Sequence, residues 1–298
     1  MNRREFIQTA SVAGAAIGLA SAAQGAEAQK PHANGKPSFR EIGWVWEGQG
    51  IDPGVPPSIY GLGQGARYFG LSRANYLFHP NDVHALELLS EYEEVTCDIS
   101  KWGWVWDENG RPVCQATSDP GTVLAEGAKV GELAKRFKNI SGVYCDDLLG
   151  LMERFEYGPE QFADIRAKIR EMSPALKLWS VVYTHEFEKA DFWTAMRPHM
   201  DVVTLWIWKS EDIVRMPQYV DECRALFPDK PIVMGVYLRD YTKVAPIPVD
   251  MVKQQMDGIA ELVEQEKLDG YSILAAVLID GHREQADAVR DFIAAQAG

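Results

Sequence analysis

Apolar and polar positions along the chain fall into two alternating patterns. Short runs rich in β-branched and aromatic residues, typical of buried strands, alternate with longer stretches whose apolar residues recur at helical spacing. The predicted strands span residues 43–47, 75–79, 95–100, 142–146, 178–184, 202–208, 232–238 and 271–279. The predicted helices span residues 83–93, 121–137, 159–172, 216–226, 249–264 and 283–295.

Eight strands that alternate with helices predict an α/β fold, a parallel sheet closed into a (β/α)8 TIM barrel. Residues 41–298 would form this barrel as one domain. An open doubly wound sheet is the alternative, and residues 61–66 carry a glycine-rich segment of the kind that binds dinucleotides. No strand immediately precedes that segment, so we interpret it as a flexible loop. The long connections at 51–72 and 101–120 are expected to form lids or walls of a site.

The amino-terminal 28 residues have the pattern of an export signal. Arg3 and Arg4 precede a mild apolar stretch at residues 10–23, and a small-x-small cleavage site follows. The segment resembles a twin-arginine leader, although an asparagine precedes the arginines where Ser or Thr is usual and Ile-Gln follows where Leu-Lys is usual. The apolar stretch is shorter than the ~20 residues of a membrane span. We therefore expect a cleaved signal peptide at 1–28, a linker at 29–40, a periplasmic or secreted product and no stable membrane anchor.

Charge and cysteine content narrow the choice of partners. The formal net charge is −13, and residues 1–28 contribute two arginines and two glutamates, so their removal leaves it unchanged. An acidic protein is a poor partner for nucleic acid, which needs an electropositive face. No C-x-x-C pairing occurs, and four cysteines do not make a disulfide framework, so we expect burial alone to stabilise the core. No metal site and no cofactor are predicted. The cysteines are Cys97, Cys114, Cys145 and Cys223.

Two adjacent acids, Asp146 and Asp147, follow the fourth predicted strand. A buried strand has no structural use for two neighbouring like charges, because burial and repulsion both disfavour ionising them together. We therefore expect a polar site at this position, and a turn or helix cap after the strand is the alternative. Both side chains can reach one substrate only if the backbone bends after Cys145, since successive strand residues point to opposite sides.

Chemistry in a TIM barrel is built at the carboxyl ends of the strands, where this chain has many polar and aromatic residues. These are Glu47, His79, Asp98, Lys101, Asp146, Asp147, Tyr183, His185, Glu186, Lys209, Glu211, Tyr237, Arg239, Asp240, Tyr241, Asp280 and His282. In a closed barrel they should gather at one end.

Tryptophans at spacing two recur in three places, at residues 44–46, 102–106 and 206–208. This spacing puts each pair on one face of an extended segment. Broad aromatic faces suit stacking against sugar rings, and packing between barrel and helices is the alternative. Their position near strand ends favours a carbohydrate cleft.

With these features the chain resembles the (β/α)8-barrel glycoside hydrolases over roughly residues 40–295. The adjacent aspartates resemble the catalytic pair of the O-GlcNAcase-type β-N-acetylglucosaminidases. That resemblance implies that Asp146 orients or stabilises the substrate and that Asp147 is the general acid. The rest of that family's pattern is not found, which leaves the sugar open.

A standard two-carboxylate mechanism would instead pair one of these aspartates with an acid across the barrel mouth. Asp240 and Glu211 are the candidates for that acid. Tyr183 and Tyr237 could position hydroxyl groups, and His185, Lys209 and Arg239 could bind polar or anionic substituents. The predicted substrate-binding set comprises Trp46, Glu47, His79, Lys101, Tyr183, His185, Trp206, Trp208, Lys209, Tyr237, Arg239 and Asp280.

Other functions remain as alternatives. A metal-dependent sugar isomerase or epimerase would use His79, His185, Asp146 and Glu211 as ligands, although their spacing matches no common metal motif. A non-catalytic carbohydrate-binding protein would keep the tryptophans and use the aspartates as hydrogen-bond acceptors. A phosphate-dependent enzyme is least favoured, because the loops after the last two strands lack a glycine-rich cradle.

Overall fold

The computed structural model describes residues 37–47, 58–116 and 118–296. The predicted leader at 1–28 therefore lies outside the described residues, as does part of the predicted linker. Eight parallel strands form the central sheet: β1 Gly43–Trp46, β2 Arg73–Tyr76, β3 Glu94–Asp98, β4 Ile140–Cys145, β5 Lys177–Tyr183, β6 Val202–Trp206, β7 Ile232–Tyr237 and β8 Gly270–Leu274. Each strand pairs with the next along the chain, and β8 pairs with β1. The predicted TIM barrel is confirmed.

Helices cover the outside of this barrel. They are α1 Leu62–Phe69, α2 Val83–Leu88, α3 Pro120–Arg136, α4 Leu148–Arg154, α5 Pro159–Met172, α6 Ala190–Met196, α7 Met216–Leu226, α8 Val249–Glu264 and α9 Arg283–Ala295. Local sequence explains where two of these helices begin. Asp82 caps α2 by accepting a hydrogen bond from Ala85 N, and Asp119 caps α3, whose first residue is a proline. Across the described ranges, no helix combines the length and hydropathy that a membrane crossing requires.

The glycine-rich segment at 61–66 corrects one prediction. It is not a flexible loop but the start of α1, whose buried side is formed by Leu62, Gly65, Ala66 and Phe69. Glycine has a poor helix propensity, and packing overrides it here: a side chain at Gly65 would collide with Ala276, in the 3₁₀ helix Ala276–Leu278. The long 101–120 connection contains an antiparallel hairpin of Trp102–Trp106 and Pro112–Ala116.

Large aromatic side chains fill the barrel interior. Trp44 on β1 and Trp179 on β5 come from opposite sides of the barrel, and their ring centroids are 4.7 Å apart. Glycines provide the space: a Cβ at Gly142 would lie 2.8 Å from Trp179 Cδ1, and one at Gly235 would overlap the Trp206 ring. Asn75 adds a polar connection across the interior, donating to Thr96 Oγ1 at 2.8 Å and accepting from Ser272 Oγ at 2.7 Å.

Candidate functional site at the barrel mouth

The adjacent aspartates lie at the turn from β4 into α4. The strand ends at Cys145, one residue earlier than predicted, and Asp146 is 1% exposed. Asp147 has φ 46° and ψ 44°, the left-handed conformation that few residues other than glycine adopt and that aspartate tolerates. Its backbone N donates to Asp146 Oδ1 at 3.0 Å. The chain therefore bends directly after Cys145, as a shared role for the two carboxyl groups requires.

Tyr183, the last residue of β5, connects the pair to the next strand. Its hydroxyl donates to Asp147 Oδ1 at 2.8 Å. Burial, and then the nearby negative charges of Asp147 and Asp146, raise the pKa of Tyr183, and the same two aspartates contribute to the raised pKa of Tyr237. Both carboxyl groups therefore lie near the same two tyrosines.

Asp147 has the electrostatic properties of a proton donor. Burial raises its pKa above the ordinary value, and the hydrogen bond from Tyr183 and the charge of Arg154 only partly oppose this. A carboxyl group with a raised pKa stays protonated closer to neutral pH, as a general acid must.

Asp147 borders a cavity of about 590 Å³ between the ends of β4, β5 and β6. Such a volume suits a small molecule. Two aromatic side chains of its wall, Tyr183 and Trp208, meet edge to face with centroids 5.6 Å apart, and Trp208 is 37% exposed. The residues that line it are Asp147, Gly150, Arg154, Tyr183, Thr184, His185, Glu186, Trp208, Lys209, Asp212 and Tyr219.

Glu186 is a second acid of this cavity, and sequence analysis placed it at the mouth without giving it a role. Its side chain is buried and accepts a hydrogen bond from Tyr183 N at 2.9 Å. Burial raises its pKa to about 8. Three further lining residues were not predicted: Arg154, Asp212 and Tyr219. They lie within helices, whereas the prediction considered only residues near the ends of strands.

Another group of predicted residues lies at the ends of β1, β2 and β3. His79 Nε2 is 3.8 Å from Glu47 Oε1, and the interaction with this carboxylate raises the pKa of His79. Lys101 Nζ donates to the His79 carbonyl at 3.2 Å and lies 3.5 Å from Glu126. Asp98 is fully buried and accepts from Ser100 N at 2.8 Å. These contacts hold the loops of this side together and do not include any residue of the 590 Å³ cavity.

Both predicted second carboxylates, Asp240 and Glu211, form an ion pair with the same residue, Lys243. Lys243 Nζ lies 3.0 Å from Asp240 Oδ2 and 2.6 Å from Glu211 Oε2. Burial would raise the pKa of Asp240, but hydrogen bonds from Ser210, Thr242 and Lys243 hold it below its ordinary value. The hydrogen bond with Lys243 lowers the pKa of Glu211 as well. Two ionised, paired carboxylates fit a role in stabilising these loops better than proton donation.

At the ends of β7 and β8, the remaining predicted residues contact their neighbours. Arg239 Nη1 is 3.4 Å from His282 Nε2, and both side chains are buried. Asp280 Oδ2 accepts from Ser58 Oγ at 2.7 Å and from Ile59 N at 2.8 Å. The predicted residues that line the cavity are Asp147, Tyr183, His185, Glu186, Trp208 and Lys209.

The paired tryptophans divide between core and surface. Trp46 and Trp206 are 4% and 1% exposed, and their ring centroids lie 5.1 Å apart in the barrel interior. Tyr237 packs on Trp206 at 4.9 Å. Of these four side chains only Trp208, two residues beyond Trp206, lines the cavity, where it joins Tyr183 in the aromatic wall.

Metal-ligating side chains are dispersed. Among residues 37–47, 58–116 and 118–296, no three His, Cys, Asp or Glu side chains come close enough together to hold a metal ion. The ligand set of the isomerase alternative, His79, His185, Asp146 and Glu211, is therefore not brought into one such group.

Comparison with known proteins supports the fold. No protein-family model matches the sequence, and neither does any curated protein. A chitinase from Chromobacterium violaceum is similar in structure, with a TM-score of 0.52, 12% identity and coverage of 85% of this chain and 99% of the chitinase. An exo-β-1,4-mannosidase from an Opitutaceae bacterium is similar with a TM-score of 0.52 and 13% identity. The alignment covers 87% of this chain and 60% of the mannosidase.

A β-galacturonidase from Eisenbergiella tayi gives a TM-score of 0.55 with 15% identity, and the alignment covers 86% of this chain and 51% of the galacturonidase. The chain thus spans about half of that enzyme. At such low identities these similarities show a shared architecture, and the architecture is the TIM barrel found in distantly related glycosidases.

Proposed function

We propose that the protein is a glycoside hydrolase that binds a carbohydrate in the cavity at the ends of β4, β5 and β6. The observation that carries this proposal is Asp147, a carboxyl group with a raised pKa that borders an aromatic-walled cavity next to a second, buried aspartate. Glycoside hydrolysis needs one protonated carboxyl group and a second group that stabilises positive charge near the anomeric carbon.

In this reaction Asp147 would give its proton to the glycosidic oxygen as the bond from that oxygen to the anomeric carbon breaks. Water would supply the hydroxyl group of the freed sugar, and the remaining proton of that water would restore the acid form of Asp147. Asp146 would orient the substrate or stabilise the positive charge that develops on the sugar ring. The hydroxyl of Tyr183 holds Asp147 in place through its 2.8 Å hydrogen bond. Trp208 offers an exposed aromatic face for the sugar.

Turnover of aryl glycosides, including N-acetylhexosaminides, tests the proposal. Asp147→Asn should slow substrates with poor leaving groups by ~10²–10⁴-fold, the usual loss when general acid catalysis is removed, and should slow activated aryl glycosides less. Asp146→Asn should impair both kinds of substrate, because charge stabilisation is needed whatever the leaving group. Asp164→Asn, an exposed change on α5 outside the cavity, serves as the matched control.

Wild-type turnover by both aspartate variants would remove the pair from the mechanism. Binding of sugars without hydrolysis of any glycoside would instead identify a non-catalytic carbohydrate-binding protein.

A further inference from the structure

Lys209 differs from other lysines in the loops at the barrel mouth. Lys101, Lys189 and Lys243 each have a carboxylate partner, at 3.5 Å from Glu126, 3.1 Å from Glu153 and 2.6 Å from Glu211. Lys209 is exposed, lines the cavity and, within the part of the chain that the structure describes, forms no ion pair. Its ammonium group is therefore available to a ligand.

The other titratable groups of the cavity do not neutralise this charge. Glu186, with a pKa of about 8, is mostly protonated at pH 7, and the pKa of Asp147 is also raised. Burial lowers the pKa of His185, the negative charge of Glu188 opposes this, and the positive charge of Lys209 adds to it, so the net shift favours the neutral imidazole. Arg154 adds a second cation to the wall, and Asp212 is the remaining acid. Although the whole chain has a net charge of −13, the positive charges of Lys209 and Arg154 in this cavity would attract an anionic ligand.

Aromatic and polar groups surround Lys209 in a way that suits a charged sugar. Trp208 is its neighbour in the chain and presents an exposed aromatic face to the same cavity. His185 stacks on Tyr183 with ring centroids 5.4 Å apart, and a neutral imidazole can donate one hydrogen bond. A flat apolar surface, a cation and a neutral donor are the groups that recognise a sugar ring with an acidic substituent.

We propose that the sugar bound in this cavity is acidic, and that its carboxylate or sulfate group pairs with the ammonium group of Lys209 while His185 donates a hydrogen bond to it. The inference rests on the proposed carbohydrate site and specifies its substrate class.

Titration of the purified protein with small sugars, followed by tryptophan fluorescence or calorimetry, tests this directly. The probes are glucuronate against glucose, galacturonate against galactose, and glucose 6-sulfate as the sulfate arm. The wild-type protein should bind at least one acidic sugar about tenfold or more tightly than its neutral counterpart, as a charge-assisted hydrogen bond implies. The arm that shows the preference distinguishes a carboxylate from a sulfate, and added salt should reduce it.

Variants assign the preference to one side chain. Lys209→Gln should abolish the preference, and Lys209→Arg should keep most of it. Lys253→Gln, which removes an exposed lysine on α8 away from the cavity, should leave it unchanged. Equal affinities for acidic and neutral sugars, no measurable binding of any acidic sugar, or a preference that survives Lys209→Gln would each overturn the proposal.

This experiment measures binding, so its outcome is separate from catalysis. A protein that selects acidic sugars through Lys209 and hydrolyses no glycoside would keep this inference and lose the proposed enzyme activity. A protein that hydrolyses neutral glycosides and does not bind acidic sugars would keep the proposed enzyme activity and lose this inference.

Discussion

At the scale of single residues, Glu186 illustrates how burial changes chemistry. Its carboxyl group accepts a hydrogen bond from Tyr183 N, and neither this bond nor the positive charge of Lys189 offsets the effect of burial on its pKa. The native protein therefore keeps Glu186 protonated to about pH 8, whereas a glutamate in the unfolded chain has an ordinary pKa of about 4.5.

The pH dependence of stability should report this difference. Between pH 4.5 and 8 the unfolded chain binds fewer protons at this position than the native protein, so the free energy of unfolding should fall as pH rises through this window. Glu186→Gln keeps the hydrogen-bond acceptor and removes the titration. Urea unfolding at pH 5, 7 and 9 should show a smaller loss of stability with rising pH in this variant than in the wild type.

Glu188→Gln, an exposed change in the 3₁₀ helix Thr184–Lys189 that also contains Glu186, is the control and should follow the wild-type profile. Parallel profiles of the wild type and Glu186→Gln would mean that this carboxyl group is not buried as described.

Part of the candidate site could be predicted from residue order. Asp146 and Asp147 were found because two acids directly follow a buried strand. Tyr183, His185 and Lys209 were found because they lie at or just after strand ends, and Trp208 because tryptophans recur at spacing two. Glu186 shows the limit of this reasoning: its position at the mouth was predicted, but its raised pKa depends on neighbours from several strands. Trp46 and Trp206 show another limit, because spacing reveals that two rings share a face but not whether that face is covered.

At the scale of elements, α1 shows how packing can select a glycine-rich helix. Gly63 and Gly65 lie two residues apart in the same helix but face different surroundings. A Cβ at Gly65 would overlap Ala276 Cβ and lie 3.0 Å from its Cα, whereas the nearest atom to a Cβ at Gly63 is 3.6 Å away.

Alanine substitutions should therefore have opposite effects at the two glycines. Gly65→Ala should lower the free energy of unfolding by ~1–3 kcal/mol, the usual cost of overpacking. Gly63→Ala should raise it by about 0.5–1 kcal/mol, because alanine is the better helix former. Chemical denaturation of both variants checks the pair. Stabilisation by both substitutions would show that α1 does not pack against the 3₁₀ helix Ala276–Leu278.

At the scale of the whole molecule, closure of the barrel determines which residues can act together. Asp147, Tyr183 and Lys209 come from three consecutive strand ends and line one cavity, while Glu47, His79 and Lys101 lie at the ends of β1 to β3 and outside it. A catalytic centre in this cavity therefore draws on β4, β5 and β6 more than on the other strands.

Delivery of the protein is also a property of the whole chain, and we propose that it is exported through the twin-arginine route. Replacing both Arg3 and Arg4 by Lys should leave the precursor in the cytoplasm, because the paired arginines are the feature that this route recognises. Cell fractionation with an antibody against the barrel measures the effect. The Lys253→Gln protein, with its leader intact, is the control. Unchanged delivery of the double variant to the periplasm would contradict the proposal.

The sequence by itself determined the architecture, because alternation of short apolar strands with amphipathic helices depends on local periodicity and burial. The bounds of α5, α7, α8 and α9 agree with those predictions, since each helix has a clear apolar stripe and a clear stop. Only the tertiary structure decided which polar residues meet and which tryptophans are covered. Those properties depend on side chains far apart in sequence: the Tyr183 hydroxyl reaches Asp147 across 36 positions, and the exposed fraction of Trp206 is set by Trp46 and Tyr237 on other strands.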